Sequence, residues 1–216
     1  MNPTSRRLAL AALSAAALPL AALAGETPAF PAQVVSARVG KIAFKENTSK
    51  AGAVAIARLE KVGETFRFEV TGRFEKFTKT GTGTARSLGV VVHQCADLRS
   101  ATFPLSYAKG TPETGGATGT FSSAVTKKVG KGEEAMLVTT TSLWRASPLD
   151  SVPFTVTFTK WEPATMRISG KLGGTLTPVL MTGAKSNAAV KSGKFTAVAT
   201  VIGVEEPPVP KAPLVR

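Results

Sequence analysis

The chain has 216 residues, with 27 Lys and Arg against 14 Asp and Glu, a net charge of +13, and one cysteine, Cys95. A single cysteine excludes an internal disulfide, so a secreted fold of this size rests on a hydrophobic core. The charge favours anionic partners. It is spread through almost every segment in runs of no more than two, so solubility accounts for it equally well.

Residues 1–24 read as a signal peptide. Arg6 and Arg7 charge the n-region, an apolar run follows from Leu8 to Leu23, and Ala22-Leu23-Ala24 forms a small-x-small cleavage signal before Gly25. The run is about 16 residues, short of the roughly 20 that a membrane helix needs. Ser5-Arg6-Arg7-Leu8-Ala9-Leu10 resembles the twin-arginine export signal but lacks the bulky residue usual two places after the second Arg. Two arginines charging an ordinary signal is the preferred reading. No cysteine stands at the cleavage site and no other run reaches membrane length, so no transmembrane segment is expected. The expected product, 25–216, is periplasmic or extracellular and carries 25 Lys and Arg against 14 acidic residues, a net charge of +11, with one soluble domain over 25–204.

After the signal, apolar residues recur with period two. The expected strands, in chain order, are 33–45, 52–60, 65–77, 86–95, 117–128, 135–145, 153–162, 164–173 and 193–203. Within the first, the phase slips near Gly40, which a bulge there would absorb. Phe66, Phe68, Val70 and Phe74 fall on one face of the third, with Arg67, Glu69, Thr71, Arg73 and Glu75 on the other. Leu88 to Val92 is continuously apolar, the mark of a strand covered on both faces. Phe154, Val156 and Phe158 alternate with threonines, and Met166, Ile168 and Leu172 alternate with Arg167, Ser169 and Lys171. Gly, Pro, Thr and Asn clusters separate these segments, and no window of 12 residues carries a good helical stripe.

The pattern predicts an all-β domain of about nine strands without a core helix, arranged as an antiparallel β-sandwich of Ig-like or jelly-roll-like kind. A β-barrel is the alternative, but barrels of lipocalin type usually add a helix after their strands and none is visible. From Phe154-Thr-Val-Thr-Phe158 through Met166-Arg-Ile-Ser-Gly170 to Ser192-Gly-Lys-Phe195, residues 152–203 resemble small secreted bacterial β-sandwich domains of unassigned function. The resemblance implies a sandwich and nothing about a site. Pro207, Pro208, Pro210 and Pro213 mark 205–216 as an extended, disordered tail.

One constellation carries chemistry: His93-Gln94-Cys95-Ala96-Asp97. On a regular strand His93 and Cys95 share a face, and imidazole with thiolate suits copper or zinc. These two are the candidate metal ligands; Asp97, Met136 or Met166 would have to complete the site. A Cys nucleophile with a His base is a further reading. The reading preferred over both is a buried free cysteine beside a histidine at a strand end, with no cofactor. Ser106-Tyr107-Ala108-Lys109 matches S-x-x-K but runs into a loop with no S-D-N to follow, and Gly81-Thr82-Gly83 lacks the third glycine of a dinucleotide motif. Asn47-Thr48-Ser49 is a formal glycosylation acceptor, and Glu133-Glu134 reads as a solvated turn.

The expectation is therefore a non-enzymatic exported protein that binds or scaffolds at a cell surface or in the envelope, with anionic polysaccharide as a candidate partner. A periplasmic copper or zinc protein is the alternative, and an enzyme with an unrecognisable site the third reading. Specific nucleic-acid binding is disfavoured, because the phenylalanines alternate into the core rather than stand free to stack on bases.

Overall fold

The computed structural model describes residues 34–45, 54–146, 148–149 and 151–204. The expected signal peptide, Asn47-Thr48-Ser49 and the proline-rich tail lie outside the described residues. The strands are β1 (Val34–Val39), β2 (Ile42–Lys45), β3 (Val54–Val62), β4 (Thr65–Phe77), β5 (Gly83–Cys95), β6 (Leu105–Ala108), β7 (Gly116–Val129), β8 (Met136–Arg145), β9 (Phe154–Glu162), β10 (Arg167–Pro178) and β11 (Ala188–Ile202). Two short 3-10 turns, Gly132–Glu134 and Pro163–Thr165, are the only helical structure among the described residues. The fold is all-β, as alternation predicts, and among the described residues no helix is long and apolar enough to cross a membrane.

The strands form one mixed sheet in the order β2-β1-β11-β3-β4-β5-β7-β8-β10-β9-β6, with β10 also bonded to β11. Two long strands change partner along their length. One edge of β11 pairs with β1 as far as Thr196 and then, in parallel, with β3 from Ala199. One edge of β10 pairs with β9 as far as Gly174 and then with β8 at Thr177 and Pro178. The β10–β11 pairing thereby closes β11, β3, β4, β5, β7, β8 and β10 into a ring.

Alternation drives the core. Phe66, Phe68 and Val70 of β4, Leu88, Val90 and Val92 of β5, Phe154, Val156 and Phe158 of β9, and Phe195, Ala197 and Ala199 of β11 are all buried. Three rings from different strands join them. Phe68 stands edge-on to Phe158 at 4.9 Å and lies stacked with Phe195 at 5.7 Å, while Phe158 meets Phe195 edge-on at 6.0 Å. Such pairs contribute about 0.5–1.5 kcal/mol each beyond the area they bury. Gly170 of β10 makes room for them, since a Cβ there would lie 2.3 Å from Phe195 Cζ.

Several expectations are revised. The phase slip near Gly40 is a reverse turn rather than a bulge: Val39 pairs with Ile42 across Gly40-Lys41, and Gly40 takes φ 57°. Segment 33–45 is therefore two strands, and β6 is a strand that alternation missed, which gives eleven rather than nine. The sheet is not wholly antiparallel, because β3 and β11 run parallel. Leu88, Val90 and Val92 are buried while Gly89 and Val91 are only half-covered, so β5 has one core face, not two. Met166 sits in the left-handed region capping the turn Pro163–Thr165, before β10 begins, rather than in the core.

Gly170→Ala forces its new methyl into the Phe195 ring and the Thr157 carbonyl, 2.8 Å away. Overpacking of this kind costs about 1–3 kcal/mol. Urea denaturation of the variant is expected to show a lower midpoint with an unchanged slope.

Candidate anion-binding face

Strand register gathers cations that the sequence scatters. Residues directly opposite on neighbouring strands project from the same face. Lys45 of β2 is opposite Ser36 of β1, Ser36 is opposite Lys194 of β11, and Lys194 is opposite Lys171 of β10. The row continues through Thr157 of β9 to Ser106 of β6. It crosses the sheet at right angles to the strands, and four strands at about 4.8 Å apart place Lys45 roughly 14 Å from Lys171. Thr196 and Ser169 form the next row, their hydroxyls 3.1 Å apart, and Arg167 lies beyond them opposite Glu162.

Two bulges complete the face. In β11 the register shifts between the pairs Arg38–Lys191 and Ser36–Lys194, with Ser192 at φ 51°. Burial passes from even positions (Ala188, Val190) to odd ones (Phe195, Ala197), so Lys191 and Lys194 are both exposed although three residues apart. In β9 a shift between Phe158 and Lys160 brings Lys160 out opposite Ser169. Among the described residues the outward set is Arg38, Lys45, Lys160, Arg167, Lys171, Lys191 and Lys194, with Glu162 the one carboxylate among them. Glu162 is held by Lys160 at 2.7 Å and accepts a hydrogen bond from Thr165 Oγ1 at 3.2 Å; Arg167 stands off at 4.0 Å. Those contacts, that of Lys160 first, keep its carboxyl below the ordinary range. The β3–β4 surface is different: Arg67 pairs with Glu69 at 3.2 Å and Glu60 at 3.7 Å, and Arg73 pairs with Glu75 at 3.3 Å.

A shallow depression of about 470 Å³ opens within the basic face, lined by Val34, Ser36, Lys45, Arg167, Lys194, Phe195 and Thr196. Among the described residues, no carboxylate lines it. The signal for this face was partly in the sequence, as the outward alternation of Arg167, Ser169 and Lys171. What alternation does not contain is which strands lie side by side.

The residues singled out from sequence are placed as follows. The β4–β5 register shifts between the pairs Phe66–Cys95 and Phe68–Val92, with Gln94 at φ 50°. This bulge carries Cys95 into the core after Val92, at 1% and 0% exposure, while His93 is half-buried on a stretch where strict alternation no longer holds. The shared face assumed for His93 and Cys95 required a regular strand. Burial pushes the Cys95 thiol up to about 12. Burial and then the charge of Arg67 hold His93 below its ordinary value, against a smaller opposing pull from Glu113.

Asp97 is committed elsewhere, to a fork in which Arg99 Nε donates to Oδ1 at 2.9 Å and its terminal nitrogen to Oδ2 at 2.6 Å. Arg99 in turn lies over the Phe66 ring at 5.7 Å. Met136 is exposed at the start of β8. No group of three or more His, Cys, Asp and Glu side chains suited to a metal ion occurs among the described residues. Ser106 shares a hydrogen bond with Thr157 at 2.8 Å and Lys109 donates to the Val152 carbonyl at 2.8 Å, so the S-x-x-K residues serve an edge strand rather than a helix. Gly81-Thr82-Gly83 closes the β4–β5 hairpin, where Thr78 N–H donates to the Thr82 carbonyl at 2.8 Å, and Glu134 is exposed on its 3-10 turn.

Compared with protein-family models, with curated proteins and with solved structures, the chain matches none.

The Cys95 thiol gives a pH signature. Its folded pKa of about 12 stands above its ordinary 9.0. As pH rises past 9 the unfolded chain loses this proton and the folded chain keeps it, so stability falls through that window by about 1.4 kcal/mol per pH unit. Urea denaturation at successive pH values is expected to show a shallower decline for Cys95→Ala than for the unaltered chain. Parallel declines would mean that the thiol ionises freely in the fold.

Proposed function

We propose that this is an exported, non-enzymatic β protein that binds an anionic polymer, in the first instance an acidic polysaccharide, at the cell surface or in the envelope. Residues 1–24 are removed on export, and the strands form two facing layers, one of which presents β2-β1-β11-β10-β9-β6 outward. The layered reading is supported by Phe68 of β4 packing against Phe158 of β9 and Phe195 of β11.

The observation that carries the functional reading is the rung joining Lys171 and Lys194. Like charges directly opposite on neighbouring strands are destabilising. Here they stand with Lys45 in one row and without a carboxylate in it. An anionic chain laid along the row removes that repulsion, a gain available to the complex and not to the free protein. The hydroxyls of Ser36, Ser106, Thr157, Ser169 and Thr196 lie among the cations on the same face and suit the hydroxyls of a sugar chain. None of these residues is aromatic, so the face offers no stacking platform for bases.

Retention on immobilised heparin or acidic glycan is expected at low salt, fading as screening shortens toward about 3 Å in 1 M salt. The double variant Lys171→Gln, Lys194→Gln should elute at clearly lower salt. A charge-matched control on β7, Lys127→Gln with Lys128→Gln, should elute close to the unaltered protein. Equal losses for the two pairs would show that net charge, not this face, does the binding.

A further inference from the structure

We propose that the depression flanked by Lys45, Lys194 and Arg167 is a subsite for one acidic sugar residue of a linear polysaccharide, with Arg167 gripping its carboxylate. This rests on the anion-binding reading of the face and adds a discrete recognition element to it.

Arg167 carries an unmet donor on this face. Its Nε–H is buried and has no hydrogen-bond partner, and its nearest carboxylate, Glu162, stands at 4.0 Å while holding Lys160 at 2.7 Å. A buried donor left unmade is costly; Nε itself is covered, while the side chain as a whole is 21% exposed. The planar guanidinium matches a carboxylate through two parallel hydrogen bonds, a geometry that an ammonium cannot reproduce. Arg167 and Val34 belong to strands on opposite sides of β11, yet both line the depression, so the arginine leans across β11 toward Ser36 and Lys194.

The rest of the lining fits a sugar ring better than a bare ion. Ser36 and Thr196 present hydroxyls, Val34 gives a small apolar patch, and the volume of about 470 Å³ lies within the usual range for small-ligand sites. Lys171 and Lys45 flank the depression along the row, so neighbouring acidic units of the same chain meet a cation on each side. One strand spacing of about 4.8 Å separates Lys194 from Lys171, and Ser36 stands between Lys194 and Lys45. That spacing is close to the length of one sugar unit, so successive acidic units of a polymer meet Lys194 and Lys171.

The test is calorimetric titration of the full chain with tetragalacturonate, with polyphosphate of equal charge, and with a neutral oligosaccharide of equal length. The unaltered protein is expected to bind tetragalacturonate most tightly. Arg167→Lys keeps the charge and loses the fork. It should weaken tetragalacturonate binding about tenfold or more, the scale of one hydrogen bond to a charged group. Lys127→Gln, on β7 and not part of this face, should change it little. Thermal melting of Arg167→Lys, close to that of the unaltered chain, establishes that the loss is local. The subsite is overturned if Arg167→Lys binds as well as the unaltered protein, or if polyphosphate binds as tightly as tetragalacturonate; heparin retention would survive either result. Absence of binding to every anion, with no heparin retention, would instead remove the anion-binding reading itself.

Discussion

The antiparallel register of β10 on β11 is the constraint on which both the core and the basic face depend. Gly170 opposite Phe195 and Lys171 opposite Lys194 are successive rungs of one ladder. The first rung admits the Phe195 ring over a residue without a side chain, and that ring ties β11 to Phe68 of β4 and Phe158 of β9. The second necessarily points the other way, because neighbouring residues of a strand alternate between faces. A slip of one residue would turn the lysines into the core and the phenylalanine into water, so the register is strongly specified.

Packing and electrostatics therefore pull against each other along this ladder. The buried rings favour the register, and the lysines it brings together oppose it. Burial prevails, since fully burying a Phe side chain contributes roughly 1.5–3 kcal/mol, while repulsion between solvated charges is weak and screened by salt. On β3 and β4 comparable cations are interleaved with carboxylates. Among the described residues, the row of Lys45, Lys194 and Lys171 on β2, β11 and β10 lacks that compensation. An uncompensated field on one face of a chain that carries +13 overall attracts polyanions over a distance set by ionic strength.

Much of the fold was legible in the sequence because period two is a local property. The boundaries expected for β4 were those observed, Thr65–Phe77, and the inward phenylalanines of β4 and β9 were identified from alternation alone. What escaped were the places where alternation breaks. The bulges in β5, β9 and β11 each insert one residue and reverse the inward parity; in β5 and β11 the positive φ falls on Gln94 and Ser192 rather than on a glycine, although Gly193 stands beside Ser192. The same blindness produced the paired reading of His93 and Cys95. The basic face was hidden for another reason. Lys45, Lys171 and Lys194 are far apart in sequence and become neighbours only through strand pairing, which a single chain's periodicity does not encode.

Lys171 and Lys194 face one another across β10 and β11, and their charges repel. A double-mutant cycle on urea stability, using Lys171→Gln and Lys194→Gln singly and together, measures that interaction directly. At low salt an unfavourable coupling between the two lysines is expected, one that vanishes in 1 M salt and also when a saturating acidic polysaccharide occupies the face. A coupling of zero at low salt, or a favourable one, would mean that the two lysines do not repel.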